Sequence, residues 1–173
     1  LSALIPLLKD QDPSVRRNAA SALAWKGLAW KGIEDAVPAL MQALPALMQA
    51  LQDEHASVRS TAAGALRRIM VNTRRILEDQ YLGVRRGAVL ALMQALQDEH
   101  ASVRSTAAGA LGGIGAEAID AVPALIQVFQ DEDVDVRRRV VQALGGIGSE
   151  NAVPVLIRAF QDQDSRVRVA AAG

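Results

Sequence analysis

The chain contains no cysteine, which excludes a disulfide framework and any thiolate metal site. Aromatic residues make up only 3 % of it, so no dedicated aromatic pocket is visible. Neither sign of charge is in excess: 19 basic and 19 acidic residues give a formal net charge of zero. A dedicated nucleic-acid binder normally carries a basic excess, so that class is disfavoured. His55 and His100 are the only histidines, and no cluster has metal-ligand spacing. A glycine-rich phosphate loop, a Ser-His-Asp set and a carboxylate cluster outside the repeat are all missing. No enzyme built from this chain alone is expected, and no metal or cofactor. No basic leader opens the chain, because Leu1 falls in mid-pattern. The longest uncharged run away from the ends, Ala36 to Gln52, is interrupted by Gln42, Pro45 and Gln49. It is short for a membrane span. A cytoplasmic chain without a membrane segment is the expectation.

What is present is a repeat. Val-Arg occurs at Val15-Arg16, Val58-Arg59, Val84-Arg85, Val103-Arg104, Val136-Arg137 and Val167-Arg168. Five residues before each Val stands an Asp: Asp10, Asp53, Asp79, Asp98, Asp131 and Asp162. A fixed period of this kind marks stacked supersecondary units. The clearest unit runs from Ala121 to Asn151, AVPALIQVFQDEDVDVRRRVVQALGGIGSEN, and begins again at Ala152 as AVPVLIRAFQDQDSRVRVAAAG. Val122, Leu125, Ile126, Val128 and Phe129 paint one face of a first helix. Asp120 is its expected N-cap, with Pro123 in the first turn. Val136, Val140, Val141, Leu144 and Ile147 paint a second helix, which Gly145, Gly146 and Gly148 are expected to end. Neither helix buries its face alone, and stacking neighbours solves the problem.

The AVPALI start, the QDEDxxVR turn and the ALGGIG end resemble the HEAT repeat, specifically the HEAT-like repeat of the phycobilisome-lyase type. The resemblance covers essentially the whole chain in degraded copies. It implies an all-α fold, a HEAT-like α-solenoid of stacked antiparallel helix pairs. Residues 1–173 read as a single array of about five to six irregular repeats, with both ends truncated. It also implies two roles: a scaffold for a protein partner, or a bilin-lyase-like subunit or chromophore chaperone acting with a partner subunit.

The anchors are spaced 43, 26, 19, 33 and 31 residues apart. The first excess comes from tandem copies of LAWKG (Leu23–Gly27, Leu28–Gly32) and of PALMQAL (Pro38–Leu44, Pro45–Leu51). Ala46–Leu66 is identical to Ala91–Leu111, the mark of a recent duplication or of one unit reused. Two expectations follow. A break or kink is expected at Pro45, where an internal helix hydrogen bond is lost. Val84 to Gln97 has no room for a turn and is expected as one uninterrupted helix. Its apolar residues lie nearly all round, implying burial on more than one side.

Asp10, Asp53, Asp98, Asp131 and Asp162, with Arg16, Arg59, Arg104, Arg137 and Arg168, read as a structural ladder, the turn Asp capping backbone N–H groups and bonding an Arg of a neighbouring turn. His55 and His100, aligned with Asp12 and Asp133, read as surface turn residues near a cap, Asp12 being the expected N-cap before Pro13. Trp25 and Trp30 read as shields at an end of the core rather than a stacking platform. Positions two, six and nine after each anchor Val point away from the core: Arg17, Ser21 and Ala24; Ser60, Gly64 and Arg67; Ser105, Gly109 and Gly112; Arg138, Gln142 and Gly145. On this second-helix surface the candidate partner-binding residues are Arg17, Arg67, Arg68, Arg74, Arg75, Arg86 and Arg138. Arg67-Arg68 stands where other units have Gly112-Gly113 and Gly145-Gly146, so cap glycines are exchanged for charge. The expected partner is a protein, acidic or phycobiliprotein-like. End-to-end self-association is also allowed.

Overall fold

The computed structural model describes residues 2–26, 33–73 and 81–173. Among them the chain is all-α, with no strand. The helices are α1 (Pro13–Lys26), α2 (Ile33–Ala50), α3 (Ala56–Thr73), α4 (Leu82–Ala95), α5 (Ala101–Ile114), α6 (Val122–Val128), α7 (Val134–Ile147), α8 (Val153–Ala159) and α9 (Ser165–Ala171). Short 3-10 turns at Ser2–Leu4 and Pro6–Lys9 precede α1. The class is a HEAT-like α-solenoid of stacked antiparallel helix pairs.

Two compact units divide the chain, Leu1–Ala91 and Leu92–Gly173. In the first, α3 packs on both α1 and α2. In the second, α5, α7 and α9 form a row, with α6 against α7 and α8 against α9. Leu125, Leu144, Val136 and Val140 are fully enclosed, each worth roughly 1.5–3 kcal/mol of apolar burial. These are the residues whose helical spacing marks the unit in the sequence.

Several local expectations hold. Asp12 caps α1, its carboxylate accepting the Ser14 N–H at 2.7 Å. Pro123 sits at the start of α6. His100 occupies the N-cap of α5 without a side-chain cap bond. The 82–95 helix has no internal loop, ending two residues before Gln97. Its burial, however, is one-sided: Ala88, Val89, Leu92 and Leu96 are buried while Leu90 is exposed.

Three expectations are corrected. Asp120 is not a cap, because Gly115–Ala121 forms a 3-10 run and Ala121 occupies the N-cap of α6. Gly145 and Gly146 do not end α7; the helix continues to Ile147, and Gly148, at φ 73°, makes the left-handed stop. No break occurs at Pro45, and α2 runs through both Pro38 and Pro45 to Ala50. Buried Leu40, Met41, Leu44 and Leu47 hold its inner face. Pro45 itself lies on the exposed side.

The stretch Ala101–Val128 is long and apolar enough to cross a membrane by length and composition. It is bent by a φ of 74° at Gly115 and a non-helical Ala118. Val103, Leu111, Val122 and Leu125 within it are buried inside the protein.

Candidate interaction surface

The anchor residues form a ladder of charge-assisted bonds. Arg16 Nε donates to Asp53 Oδ2 at 2.6 Å and Nη2 to Oδ1 at 3.0 Å. Arg104 repeats this on Asp131 at 2.6 and 2.9 Å. Arg137 repeats it on Asp162 at 2.8 and 3.1 Å. Meanwhile Nη1 of each donates to two carbonyls of its own turn, for Arg104 those of Asp98 and Glu99 at 2.9 and 3.0 Å. Arg59 and Arg168 make the same pair of carbonyl bonds. Each Asp closes its turn by accepting the N–H two residues on, as Asp131 does from Asp133 at 2.9 Å. The planar five-donor fork of Arg fits this double duty, and a Lys ammonium does not. Arg85 lies buried with its fork toward Thr73 Oγ1 and the Met70 carbonyl, both at 3.4 Å, and Asp79 of its turn lies outside the described residues.

Electrostatics follow from the pairing. Burial pushes the carboxyls of Asp53 and Asp131 up. The Arg forks and the turn amides outweigh it, leaving both below the ordinary carboxylate value. For Asp162 the Arg137 fork is the largest influence, and it too lies low. The same bonds raise Arg16, Arg104 and Arg137. These arginines are committed to holding turns together.

The remaining cations are distributed as follows. Arg17 on α1 and Arg86 on α4 are exposed, and Arg67 and Arg68 on α3 are half-buried. Arg74 and Arg75, with Trp30, lie outside the described residues. Arg68 stacks on Trp25, its guanidinium carbon 3.7 Å from the ring centroid. Trp25 is itself exposed. The expectation that it shields the core is therefore corrected: it forms a surface cation–π pair bridging α1 and α3.

Arg138 on α7 is half-buried and bonds Asp135 through Nε and Nη2 at 3.3 and 3.2 Å. It lines a groove of about 960 Å³ with Val141, Gln142, Gly145, Val169 and Ala170. Arg166 lines it too, 3.9 Å from the same Asp135. Hydrogen bonds from the Arg166 side chain and backbone hold the Asp164 carboxyl down to about 2. The groove thus has an apolar floor, small residues that admit close approach, and an edge of alternating charge.

The positions expected to face outward divide. Arg138, Gln142 and Gly145 do line an open surface. Ala24 is buried. Gly112 is not free either: a Cβ there would lie 2.5 Å from Ala143 Cα. At Gly146 a Cβ would lie 3.0 Å from the Gly112 carbonyl oxygen. Gly112 and Gly146, one from each doublet, are close-approach points of α5 and α7, not caps. Arg67-Arg68 thus replaces packing glycines, and α3 runs on to Thr73. Arg166 and Val169 escaped the sequence reading, because only the packing of α9 on α7 makes them neighbours of Arg138.

His55 lies in a turn, its Nδ1 3.3 Å from Arg16 Nη2. Among the described residues no group of three His, Asp or Glu is placed to hold a metal.

A family model described as HEAT repeats matches residues 1–92 and 89–173. No curated protein matches. Among solved structures, an engineered protein is 26 % identical at a TM-score of 0.74, covering 99 % of this chain and 76 % of its own. The complex of CpcE and CpcF of phycocyanin lyase from Nostoc sp. PCC7120 is 27 % identical at a TM-score of 0.71. That match covers 98 % of this chain, which spans 61 % of the matched lyase chain. A designed armadillo repeat protein in complex with the peptide (KR)4 shares the fold, at 22 % identity and a TM-score of 0.71 over 99 % of this chain and 79 % of that one.

Proposed function

The chain belongs to the HEAT repeat family, and from that premise we propose that it is a non-catalytic scaffold holding a protein partner on the surface of its second helices. The α7–α9 groove carries this reading. Its floor of Val141, Val169 and Ala170 suits the apolar face of a helix or extended segment. Gly145 lets a partner backbone come close. Arg138 and Arg166 at the edges suit carboxylates, which would exchange with Asp135 and Asp164 as their partners. The partner is therefore acidic at the rim and apolar at the centre. In the first unit, Arg17, Arg67, Arg68 and Arg86 are further contacts, with Trp25 and Arg68 offering a flat cationic platform. Arg74 and Arg75 are part of the same proposed set.

The test uses a partner isolated by affinity capture and then rebuilt from purified components at fixed salt. Arg138→Ala with Arg166→Ala is expected to weaken binding about tenfold or more, as desolvated interface arginines do. Arg67→Ala with Arg68→Ala measures the first-unit cluster separately. Unchanged affinity in both double variants, with the fold intact by circular dichroism, would overturn the surface assignment.

A second reading has one supporting observation, the likeness to the phycocyanin lyase complex. Under it the chain is a chromophore chaperone or lyase-like subunit acting with a partner. Lacking cysteine, it would hold bilin without a thioether of its own. An absorbance shift when bilin is mixed with the chain and a phycobiliprotein would favour this reading; a spectrum equal to the sum of the components would count against it.

A further inference from the structure

We infer that the outward face of α1 and α3 holds an acidic peptide segment of the partner, its carboxylates meeting Arg17 at one end and the Arg67-Arg68 pair at the other. This names the partner's chemistry at the first unit and rests on the scaffold reading above. Charge carries it. Neither α1 nor α3 contains an Asp or a Glu, while together they hold Arg16, Arg17, Arg59, Arg67 and Arg68. Arg16 and Arg59 are engaged with their turns. The guanidinium groups of Arg17, Arg67 and Arg68 meet no carboxylate and no hydrogen-bond acceptor among the described residues. In the second unit the surface cations have counter-charges at hand, Arg138 on Asp135 and Arg166 on Asp164. A chain that is neutral overall thus has one helix pair whose outward face carries cations alone.

Geometry gives the occupant its shape. α3 is an interior helix: α1 and α2 pack on it, and Arg85 of α4 reaches its last turn at Thr73. Arg68 is held in place, its guanidinium carbon 3.7 Å from the Trp25 ring centroid. Stacking occupies the flat face of the fork and leaves its N–H edge to pair both oxygens of one carboxylate. Arg17 stands two residues past its anchor Val, and Arg67 and Arg68 nine and ten past theirs. The two charged ends therefore lie about 10–12 Å apart along the helix axes, which an extended chain covers in about four residues. Between them the floor is small and neutral: Ser21 on α1, and Gly64 on α3, where a Cβ would meet nothing within 4 Å. Acidic residues four apart fall on one side of an extended peptide, whose backbone can then pass over Gly64. A nucleic-acid strand carries a charge on every unit, and the middle of this face has no cation to meet it.

The test is an NMR titration of the 173-residue chain, reading the Gly64 amide and the Trp25 indole N–H at fixed salt. One probe is a Ser/Gly peptide with two glutamates four residues apart; the other is its isomer with the glutamates adjacent. Saturable shifts are expected with the first, and about fivefold weaker binding with the second, the scale of one exposed ion pair. Arg67→Ala with Arg68→Ala is expected to weaken the first about tenfold. Arg68→Lys keeps the charge but loses the planar fork, and is expected to weaken it about threefold or more. Gly64→Gln fills the floor at unchanged charge and should also weaken binding, which keeps the site testable if the arginine variant unfolds. Arg158→Ala removes a cation from the second unit and should leave affinity unchanged. No saturable shift at Gly64, equal affinity for the two isomers, or an equal loss in Arg158→Ala overturns the inference. So does tighter binding of a single-stranded oligonucleotide at the same site. A captured partner indifferent to Arg67, Arg68 and Gly64 overturns it too, and leaves the α7–α9 groove standing.

Discussion

Arg104 joins two turns with a single planar side chain, and it is the best place to measure what the ladder contributes. Asp131→Asn removes the charge that receives the Arg104 fork while keeping the shape. Both side chains are largely buried, so Arg104 would keep its two carbonyls but lose its counter-charge. The expected loss is about 2–3 kcal/mol, in the range for hydrogen bonds to charged groups and below that for a fully buried pair. Urea unfolding with an unchanged slope would give the value directly. The same residues set the acid limit of stability. Asp53, Asp131 and Asp162 all lie below 3.8 when folded. Near and below that pH the unfolded chain binds more protons than the folded one, so stability rises with pH there. The contribution is complete above the unfolded value and is lost as pH falls through the lower folded values. The urea midpoint is expected to stay flat from neutrality to about pH 5 and to fall steeply below about pH 4. Asp131→Asn should shallow that fall; an identical slope would show that other carboxylates govern it.

Helices in this chain meet through glycine where two backbones must touch. Gly112 is such a point, because any Cβ there runs into the Ala143 backbone. Gly112→Ala is expected to cost about 1–3 kcal/mol, the usual range for overpacking. Gly64, inside α3, has nothing within reach of a Cβ. Gly64→Ala is therefore expected to stabilise by about 0.5–1 kcal/mol through helix propensity. Thermal melts of the two variants should move in opposite directions, and a shared direction would refute the packing account. α2 gives a second check. Its Pro45 survives in mid-helix because the inner face is held by packing. Pro45→Ala restores the missing N–H and is expected to raise stability by about 1–3 kcal/mol. A neutral effect would mean that the lost hydrogen bond is already compensated. Gly112 and Gly146 were misread from sequence, and the continuity of α2 through Pro45 was missed, for one reason. Local rules describe an isolated helix, whereas here a neighbouring backbone or a buried stripe outweighs them.

At the scale of the whole molecule, the charge balance is the most direct observable. Equal numbers of acidic and basic residues, with the anchor arginines tied to aspartates, leave little field to attract a polyanion. Fluorescence anisotropy with a labelled DNA duplex at physiological salt is expected to show no saturable binding. Tight binding that weakens steeply with added salt would overturn this, since such a slope counts phosphates neutralised by the protein. The fold was legible because each repeat restates the same pattern. Six Asp-to-Val-Arg spacings and the 31-residue return of Pro123 as Pro154 require stacked helix pairs. The ladder was legible for the same reason: the charged pair recurs in register, and Arg16, Arg104 and Arg137 each fork onto the Asp of a following turn.

The interaction surface was only half legible. Sequence alone determined which residues are helical, which face of each helix is apolar, and which arginines belong to turns, because those properties depend on spacing along one chain. Tertiary structure alone decided that Gly112 meets Ala143, that Arg68 lies over Trp25, and that Arg138 shares a groove with Arg166 and Val169. The physical reason is distance. A helical period fixes the direction of a side chain relative to its own axis, but the gap to the next helix is set by packing of both surfaces, which no single repeat contains.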